Sequence, residues 1–567
     1  MDMAQMDQAV ADLQESKDRW ATLPLVDKIA YLDAIKDKTV AVARPWVEAA
    51  TKAKGLSMGQ PAAGEEWLAG PFTVLWYLKD LRTSLVRLSS GIPVLHGYEP
   101  TTLPSGQVVV DVFPKSFDER VLFSGVTAEV WMNPEVTVEN LGDTTAAFYR
   151  AADPHSHVAL TLGAGNVASI PFLDVLYALF VEGNVTVLKM NPVNEYLGPL
   201  FETIFTELIA DGFVRTAYGG ADVGAYLSTH EGVDSIHITG SVATYNAIVF
   251  GTGPEGEENR RADRPVNPRP ISAELGGASP VIVVPGDWSE RDIRFQAEHL
   301  VSQKLNNSGF NCIAAQVLVL PQTWDQKGQF LDAVRSVMAA AEDRDPYYPG
   351  SSDRSARAVE VSDEVERFGD VHPRYLVTGL DPADAQEPWF TTEIFGPVLA
   401  VTELPSPDPA SFLANAVEFA NKRLYGTLGA NIVIHPMTER ANKEAFDEAI
   451  ADLQYGTVAI NAWTGVGYFL GRCPWGAFPG HTRNDIESGT GVVHNALMFT
   501  KAEKSVVRGP FAEAPRSFAK GEFHLAPKMV YMITNKQAHV IGEKLIDYCD
   551  KPTKAKIASI AASALRG

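Results

Sequence analysis

The chain has 567 residues, of which 46% are hydrophobic, and a formal net charge of −22 at pH 7. This length exceeds what one hydrophobic core normally organises, so we expect two or three domains. The acidic balance argues against nucleic acid as a partner. The presence of only three cysteines argues against a disulfide scaffold and favours a reducing compartment.

Targeting and membrane segments are not evident in the sequence. The first thirty residues are charged and helical in pattern, without an apolar run of the signal-peptide type. The most apolar region, 158–190, is interrupted by proline, aspartate, glutamate and glycine, which indicates buried core rather than a membrane span. We therefore expect a cytoplasmic protein with no membrane span.

The first 150 residues predict helices followed by a small sheet. Residues 5–55 and 60–90 carry apolar side chains at spacings of three and four, which indicates amphipathic helices. Residues 106–113 and 125–132 have strand character and predict a hairpin or small sheet.

From residue 155 onward, strand-like and helix-like segments alternate. "HVALTLGAG", "NVTVLKM" and "GVDSIHITGS" have strand character, and apolar helical segments separate them. This alternation predicts βαβ units with a parallel sheet, which is the α/β fold class. The Gly/Pro-rich, charged stretch 251–270 predicts a loop. A second alternating region extends to about residue 480, and two helices are predicted near 537–550 and 553–565.

The end of the chain differs in charge from the rest. Residues 501–567 contain 12 Lys+Arg and 6 Asp+Glu on an otherwise acidic protein. Such a basic tail can dock onto a neighbouring subunit or can be a simple solvated extension, and the sequence leaves both alternatives open.

Short motifs that could carry chemistry follow, and each has a plain structural alternative. In "ITGS", Gly240 and Ser241 could hold phosphate at a helix N-terminus, or Ser241 could only cap the helix. In "ELGGASP", Glu274 precedes a glycine pair that permits close backbone approach, or simply forms a turn. Cys312 in "FNC" is a reactive thiol or a small buried side chain. In "EIFGPV", Glu393 precedes an aromatic residue, or lies in a loop before a strand.

Taken together, these motifs resemble the aldehyde dehydrogenase superfamily. "GN…GN-VTVLK", "ITGS", "ELGGASP", "FNC" and "EIFGPV" occur in the order and at the spacing of that family, over roughly residues 20–508. The resemblance implies an aldehyde dehydrogenase-like α/β fold with these parts: a Rossmann-like coenzyme domain (1–100 and 140–276), a catalytic domain (277–482), a small β oligomerisation flap (101–139 and 483–510) and a C-terminal extension (511–567). An exposed flap strand has unpaired backbone N–H and C=O groups that can pair with a strand of another subunit. A homodimer or homotetramer is therefore expected.

The resemblance also implies a chemistry for the motif residues. Cys312 would attack an aldehyde carbonyl as a thiolate and carry first a thiohemiacetal and then a thioester. The side-chain amide of Asn166 and the backbone N–H of Cys312 would stabilise the oxyanion. Glu274 would activate the water that hydrolyses the thioester to a carboxylic acid.

The cofactor implied by the resemblance is NADP or NAD. Lys189 would bind the adenosine ribose, Ser241 the pyrophosphate and Glu393 the nicotinamide ribose, with Phe395 packed beside the nicotinamide. Pro192 stands where NAD-preferring members often carry a glutamate, so NADP is admitted and slightly favoured. The full set of expected cofactor contacts is Lys189, Gly220, Gly224, Gly240, Ser241, Glu393 and Phe395.

Some positions depart from the family pattern. Val175 replaces the usual lysine, which puts a lysine-assisted proton path in doubt. Gly309 is kept, but Phe310 replaces a glutamine, which indicates either a narrow apolar substrate mouth or core packing. The late segment "PWGAFPGHTRNDIESG" could place Asp485 or Glu487 on a proton-exit route.

The sequence leaves three other functions to consider. A CoA-acylating relative commonly lacks the general base, so Glu274 favours hydrolysis. A cysteine hydrolase would need a histidine near Cys312 in space, and none is near it in sequence. A non-catalytic scaffold would not require Cys312, Glu274 and Asn166 together. The sequence does not identify the aldehyde.

The remaining histidines and cysteines are predicted to be structural. His237 alternates with apolar residues, which is typical of a packed strand histidine. His155 and His157 lack the further ligands of a metal site, so no metal is predicted. Cys473 and Cys549 have no neighbouring cationic cluster.

Overall fold

A computed structural model describes residues 2–567 as helices packed around two β-sheets. Across these residues, no helix combines the length and the hydropathy needed to cross a membrane. The helices are α1 (Met3–Thr22), α2 (Leu25–Ala53), α3 (Ala63–Trp67), α4 (Thr73–Ser89), α5 (Phe117–Leu122), α6 (Ala147–Arg150), α7 (Ile170–Phe180), α8 (Gly198–Ile204), α9 (Thr206–Ala210), α10 (Ala221–Thr229), α11 (Val242–Phe250), α12 (Gly253–Arg261), α13 (Glu290–Leu305), α14 (Lys327–Ala340), α15 (Ser351–Glu360), α16 (Pro388–Thr391), α17 (Pro409–Arg423), α18 (Pro436–Ala441), α19 (Lys443–Asp452), α20 (Gly465–Phe469), α21 (Arg516–Ala519), α22 (Ala538–Asp550) and α23 (Lys554–Ala564).

The strands alternate with these helices as the sequence predicts. They are β1 (Pro100–Thr102), β2 (Val108–Phe113), β3 (Thr127–Met132), β4 (Val158–Leu162), β5 (Val185–Lys189), β6 (Val214–Ala217), β7 (Ser235–Gly240), β8 (Ile271–Leu275), β9 (Pro280–Val283), β10 (Val317–Pro321), β11 (Glu364–Phe368), β12 (Arg374–Leu380), β13 (Val398–Leu404), β14 (Gly429–Val433), β15 (Thr457–Ile460), β16 (Gly489–Thr490) and β17 (Ala502–Arg508).

The smaller sheet has six strands in the order β16-β8-β7-β4-β5-β6, all parallel except β16. Every residue of β4 and β5 is buried, as expected for parallel strands covered on both faces. The chain moves from β4 outward to β6 and then returns to the other side of β4 with β7. Because crossovers are right-handed, this reversal opens a crevice at the carboxyl ends of β4 and β7, where α/β sheets bind ligands.

The larger sheet has eleven strands in the order β1-β2-β3-β17-β15-β14-β9-β10-β13-β12-β11. Its centre is parallel, whereas β1, β2, β3 and β17 pair in antiparallel fashion. These four strands belong to the region predicted as the oligomerisation flap, and β17 pairs in parallel with β15 of the same chain. The flap is thus continuous with the sheet of the predicted catalytic domain, while the domain boundaries and the oligomeric state stay predictions.

The predicted loop at 251–270 is wrong for nine of its twenty residues, because the helix α12 occupies Gly253–Arg261. Proline stands in the first turn of this helix, where its missing N–H costs no hydrogen bond. Glu257 pairs with Arg260 at 2.9 Å and with Arg261 at 3.1 Å, at the spacings that support a helix. The Gly/Pro content concealed this charge pattern.

The C-terminal extension folds back onto its own chain, which neither alternative anticipated. Arg516 and Lys520 each lie 3.2 Å from the carboxylate of Asp292, and Lys528 lies 2.7 Å from that of Glu298. The helix α22 packs so tightly on α3 that a Cβ at Gly542 or Gly64 would overlap neighbouring atoms. The basic tail therefore neutralises acidic groups of the body it belongs to. The two helices predicted for this tail are confirmed as α22 and α23.

Candidate active site

The thiol of Cys312 faces the carboxylate of Glu274, which stands near the end of β8. The Sγ–H group of Cys312 donates a hydrogen bond to Oε1 of Glu274 over 3.1 Å. The indole Nε1–H of Trp475 donates to the same oxygen over 2.9 Å. Two residues that are 38 positions apart in sequence are thus in direct contact, and Trp475, which no sequence motif indicated, is a third member.

Burial controls the protonation of this pair. Glu274 is only 4% exposed, and this burial raises its pKa to about 7 although the hydrogen bonds from Trp475 and Cys312 oppose the shift. Burial, reinforced by the adjacent Glu274, also raises the pKa of the Cys312 thiol well above its usual range. At neutral pH the thiol therefore holds its proton next to a carboxylate placed to accept it, whereas the resemblance implied a free thiolate.

The loop before Cys312 has an unusual backbone. Asn307, Ser308 and Gly309 have φ values of 53°, 56° and 83°, three consecutive residues in the left-handed region. A side chain at Gly309 would also place its Cβ 2.7 Å from the carbonyl oxygen of Gly396. Since such conformations cost free energy, the surrounding contacts hold Cys312, the predicted nucleophile, in this position. Residues 306–312 are called the nucleophile loop below.

Asn166 follows β4 and lies against this loop. Its side-chain Nδ2 donates a hydrogen bond to the carbonyl oxygen of Phe310 over 2.9 Å, and the residue is 7% exposed. An amide nitrogen carries two protons, and the second one has no acceptor among residues 2–567. This geometry leaves one fixed N–H group available beside the nucleophile loop.

A buried network behind Asn166 was not foreseen. The backbone carbonyl of Asn166 accepts hydrogen bonds from Lys54 (3.2 Å), Asn307 (3.0 Å) and Tyr347 (2.9 Å). Lys54 also forms a buried ion pair with Glu66 at 2.8 Å. These residues hold Asn166 and the nucleophile loop together, but no local pattern predicts contacts between segments so distant in sequence.

Phe310 packs in the interior. Its exposure is 0%, and its ring centroid lies 5.1 Å from Tyr347, 5.6 Å from Tyr348 and 5.7 Å from Phe395. The packing alternative therefore describes this residue, and the substrate-mouth alternative does not.

The predicted phosphate contacts lie at the carboxyl end of β7, beside the crevice. Gly240 and Ser241 are exposed, and Ser241 caps α11 by accepting a hydrogen bond from the backbone N–H of Thr244 over 3.2 Å. Capping and anion binding are compatible, because a helix N-terminus leaves further N–H groups free. Gly220 immediately precedes α10, and a Cβ at Gly224 would meet only Leu162, at 4.0 Å.

Lys189 ends β5 at the same edge of the sheet. It is 8% exposed, and its ammonium group forms no hydrogen bond with any other residue of the described chain. Burial lowers its pKa, although the charges of Glu195 and Asp222 oppose that shift. A buried ammonium group without a close partner is well suited to a polar ligand.

Glu393 and Phe395 follow α16 on the catalytic side. A Cβ at Gly276 would lie 1.8 Å from Oε1 of Glu393, which explains the glycine in "ELGGASP". Burial raises the pKa of Glu393 to about 8, and the charge of Glu274 adds to this effect. Phe395 has a φ of 48°, and the guanidinium of Arg354 lies 5.9 Å from its ring. An exposed helix N-terminus, a cation and a carboxylate around one crevice fit a dinucleotide.

Neither candidate for proton exit forms a hydrogen bond with Glu274 among residues 2–567. Asp485 is exposed in a turn, and the carboxylate of Glu487 accepts a hydrogen bond from the backbone N–H of Gly426 over 2.9 Å. A cavity of about 1040 Å³ lies between α13, α14 and residues 528–538. It reaches only the far side of the nucleophile loop and contains neither Cys312 nor Glu274.

Known proteins resemble this chain over its central part and in its fold. The aldehyde dehydrogenase family model matches residues 166–353, which include Asn166, Glu274 and Cys312. Betaine aldehyde dehydrogenase 2 of Rhizobium meliloti (strain 1021) is 28% identical over 304 residues, which cover 50% of this chain and 56% of that protein. This chain thus spans just over half the length of the curated relatives it matches.

Solved structures show the same architecture. The NADP-dependent glyceraldehyde-3-phosphate dehydrogenase from Bacillus halodurans C-125, complexed with NADP, has a TM-score of 0.57 at 18% identity and covers 90% of this chain and 92% of its own. The NAD-dependent aldehyde dehydrogenase from Sinorhizobium meliloti has a TM-score of 0.57 at 16% identity and covers 90% and 88%. The predicted α/β fold is confirmed. The central part of the chain is thus similar to the aldehyde dehydrogenase family, and its fold is that of solved aldehyde dehydrogenases.

Proposed function

We propose that the protein oxidises an aldehyde to a carboxylic acid with NADP or NAD, through covalent intermediates on Cys312. The observation that carries the proposal is the 3.1 Å hydrogen bond from the Cys312 thiol to a buried carboxylate whose pKa is about 7. A base of this pKa is suited to accept and release protons near neutral pH.

The first step is attack on the aldehyde carbon. Sγ of Cys312 forms the new bond while its proton moves to Oε1 of Glu274, and the carbonyl oxygen becomes an oxyanion. The free N–H group of Asn166 and the backbone N–H of Cys312 stabilise this charge. A bound nicotinamide supplies the hydride acceptor that turns the thiohemiacetal into a thioester.

The second step is hydrolysis of the thioester. Glu274 first releases the proton it took from the thiol and then accepts one from water, whose oxygen attacks the thioester carbon. The C–S bond breaks, the carboxylic acid leaves, and Cys312 takes up a proton again. Glu274 therefore acts as the base in both halves of the reaction.

Cofactor binding is assigned to the crevice between the two sheets. The N-terminus of α11 with Gly240 and Ser241 would hold the pyrophosphate, with Gly220 and Gly224 nearby. Lys189 would bind the adenosine ribose, and Glu393 and Phe395 would position the nicotinamide. Because Pro192 is exposed and carries no charge to repel a 2′-phosphate, NADP is slightly favoured over NAD.

An aldehyde panel tests this proposal. The purified protein is mixed with each aldehyde and NADP⁺ or NAD⁺, with and without coenzyme A, and the absorbance of the reduced cofactor is followed. We expect turnover without coenzyme A and none from the Cys312→Ser variant. Turnover only with coenzyme A would point to an acylating enzyme, and no signal under any condition would contradict the dehydrogenase.

The cellular setting follows from the same proposal. We propose a cytoplasmic homodimer or homotetramer with the domain boundaries given above, and mass measurement in solution tests the oligomeric state. Because the extension packs on its own chain through α22, its removal would expose apolar surface of α3. We therefore expect truncation before residue 511 to lower stability whatever the oligomeric state.

A further inference from the structure

A buried cluster of one carboxylate and two imidazoles lies behind Glu274. Asp174 on α7 is 0% exposed at its side chain, and its two oxygens lie 3.7 Å from Nε2 of His237 and 3.8 Å from Nε2 of His494. The hydroxyl of Thr239 donates to Oδ2 of Asp174 over 3.0 Å and lies 3.2 Å from Nε2 of His237. Burying a carboxylate is costly, so such a cluster calls for a reason.

The cluster is incompletely satisfied. Oδ1 of Asp174 and both ring nitrogens of His494 are buried without a hydrogen-bond partner among residues 2–567. Buried polar groups in structural networks are nearly always paired. The unpaired polar atoms of this cluster are unusual for a purely structural network.

The sheet register connects the cluster to the base. β7 and β8 pair in parallel, with Thr239 opposite Glu274 and His237 opposite Ser272. Paired residues of neighbouring strands point to the same face, and alternate residues share it, so all four side chains lie on the face toward Asp174. Thr239 is thus the cross-strand neighbour of Glu274, and its hydroxyl lies between Asp174 and His237.

Aromatic side chains form a second set of contacts between Glu274 and the cluster. Trp475, which donates to Glu274, packs edge-on against Tyr468 with ring centroids 5.4 Å apart. Tyr468 in turn packs against His494 at 4.5 Å. These rings cover Glu274 on that side, so a proton that leaves in this direction passes through polar groups.

Of the two imidazoles and the carboxylate in the cluster, His237 is the most exposed to solvent. Its side chain is 13% exposed, whereas that of Asp174 is 0% exposed, and its Nδ1 lies 2.9 Å from the hydroxyl of Ser272. Burial lowers the pKa of His237, but Asp174 and other carboxylates outweigh this effect and leave the pKa raised. The titratable groups facing this imidazole are Asp174, Glu182, Glu274 and His494.

We propose that Thr239 and His237 relay the proton from Glu274 toward solvent, with Asp174 as the positioning residue that stabilises the charged imidazole. A water between the Glu274 carboxyl group and Thr239 takes the carboxyl proton and gives one to the hydroxyl oxygen of Thr239, whose own proton turns from Oδ2 of Asp174 to Nε2 of His237. The imidazolium then releases its Nδ1 proton at Ser272 or to water, and Glu274 is again a carboxylate. This relay rests on the proposed function.

The relay is tested first by kinetics with a conservative pair of variants. Thr239→Val removes the hydroxyl at nearly constant volume, and Thr239→Ser keeps it. We expect Thr239→Val and His237→Gln to lower steady turnover about tenfold below pH 7 while the burst of reduced cofactor keeps its amplitude, because only proton release is impaired. Thr239→Ser should retain most of the turnover, and added imidazole should partly restore His237→Gln.

Controls separate folding and function from the relay. His155→Gln alters an imidazole that is 73% exposed and should change nothing, and thermal midpoints show whether each variant is folded. Equal turnover of Thr239→Val and Thr239→Ser at every pH, with active wild type, would overturn the relay alone. Absence of reduced cofactor from the wild type would overturn the proposed function and the relay together.

A second measurement needs no cofactor. The His237 ring resonances are titrated by NMR in the wild type, in Glu274→Gln and in Thr239→Val. Loss of the nearby carboxylate should lower the pKa of His237 in Glu274→Gln, and Thr239→Val should alter its titration as well. A His237 titration identical in all three proteins would show that the imidazole is not linked to Glu274.

Discussion

The side chains assigned to bond making and those assigned to the cofactor differ in their surroundings. Cys312, Glu274 and Asn166 are hydrogen-bonded to each other or to the nucleophile loop, at 2.9 to 3.1 Å. Lys189 and Glu393, by contrast, form no side-chain hydrogen bond with residues 2–567, and Ser241 is exposed. The chain thus preorganises the groups proposed to act on the substrate carbon, and it leaves the charged groups of the crevice available for a ligand. Substitutions of Cys312, Glu274 or Asn166 should therefore reduce kcat. Substitutions of the residues assigned to the cofactor should change the affinity for the cofactor.

The nucleophile should give the largest effect. Cys312→Ser is expected to lower turnover by more than about a thousandfold, since a hydroxyl at this site is a far weaker nucleophile and a poorer leaving group. Cys549→Ser, a half-buried thiol elsewhere, is the control and should retain full activity. Comparable activity of Cys312→Ser and the wild type would remove the thiol from the mechanism.

The base should give the next largest effect. Glu274→Gln is expected to lower steady turnover by about 10²- to 10⁴-fold, because the amide cannot accept a proton from water. The burst of reduced cofactor should keep its amplitude in stopped-flow traces but rise more slowly, because hydride loss precedes hydrolysis whereas the thiol loses the acceptor of its proton. The matched control is Glu129→Gln, whose carboxylate also accepts from an indole N–H, at 3.1 Å, but lies on β3. A lost burst would mean that Glu274 acts mainly before thioester formation.

The oxyanion donor should come third. Asn166→Ala removes the one side-chain N–H group free to stabilise the alkoxide, and we expect kcat to fall about 10²-fold. The KM for the cofactor should change little, because the Asn166 amide belongs to the preorganised groups and not to the residues assigned to the cofactor. If KM rises while kcat is retained, Asn166 contributes to binding and not to the transition state.

The pH dependence should show the shifted base. Glu274 must be a carboxylate to act, and burial raises its pKa to about 7. Turnover should therefore fall about tenfold for each pH unit below 7 and level off above it. A profile that is flat from pH 5 upward would indicate a carboxylate with an ordinary pKa and contradict the role of burial.

Cofactor preference should be the mildest effect. Pro192→Glu places a carboxylate three residues after Lys189, where it would repel a 2′-phosphate, and should raise the KM for NADP⁺ several-fold with kcat nearly unchanged. Pro192→Ala is the control for loss of the proline alone. An unchanged ratio of KM values for the two cofactors would place the adenosine ribose elsewhere.

Much of this architecture could be predicted, because periodicity reports burial locally. The alternation from residue 155 onward predicted the parallel sheet, and the order of five short motifs predicted which distant residues meet. The helix α12 was missed because Gly and Pro at its start hid the pairing of Glu257 with two arginines. The signal for such a helix is the spacing of its charged residues, which the amino-acid composition alone does not show.

The support around the site could not be predicted from local patterns. Lys54 reaches Asn166 and Asn307 across 112 and 253 residues, and nothing in its own segment indicates those partners. His237 was predicted as a packed strand histidine, and it does lie on a strand, but its contact with Asp174 depends on how α7 crosses the sheet. The return of the extension onto its own chain likewise depends on tertiary charge matching.

The central claim is that Cys312 becomes acylated and that Glu274 activates the water that removes the acyl group. It is tested most directly by intact-protein and peptide mass spectrometry of Glu274→Gln, quenched after mixing with a substrate aldehyde and NADP⁺ or NAD⁺. The account predicts a mass increase equal to the acyl group, confined to the peptide that carries Cys312 and absent from Cys312→Ser. Turnover by the wild type with no acyl adduct in Glu274→Gln, or an adduct on another residue, would contradict it.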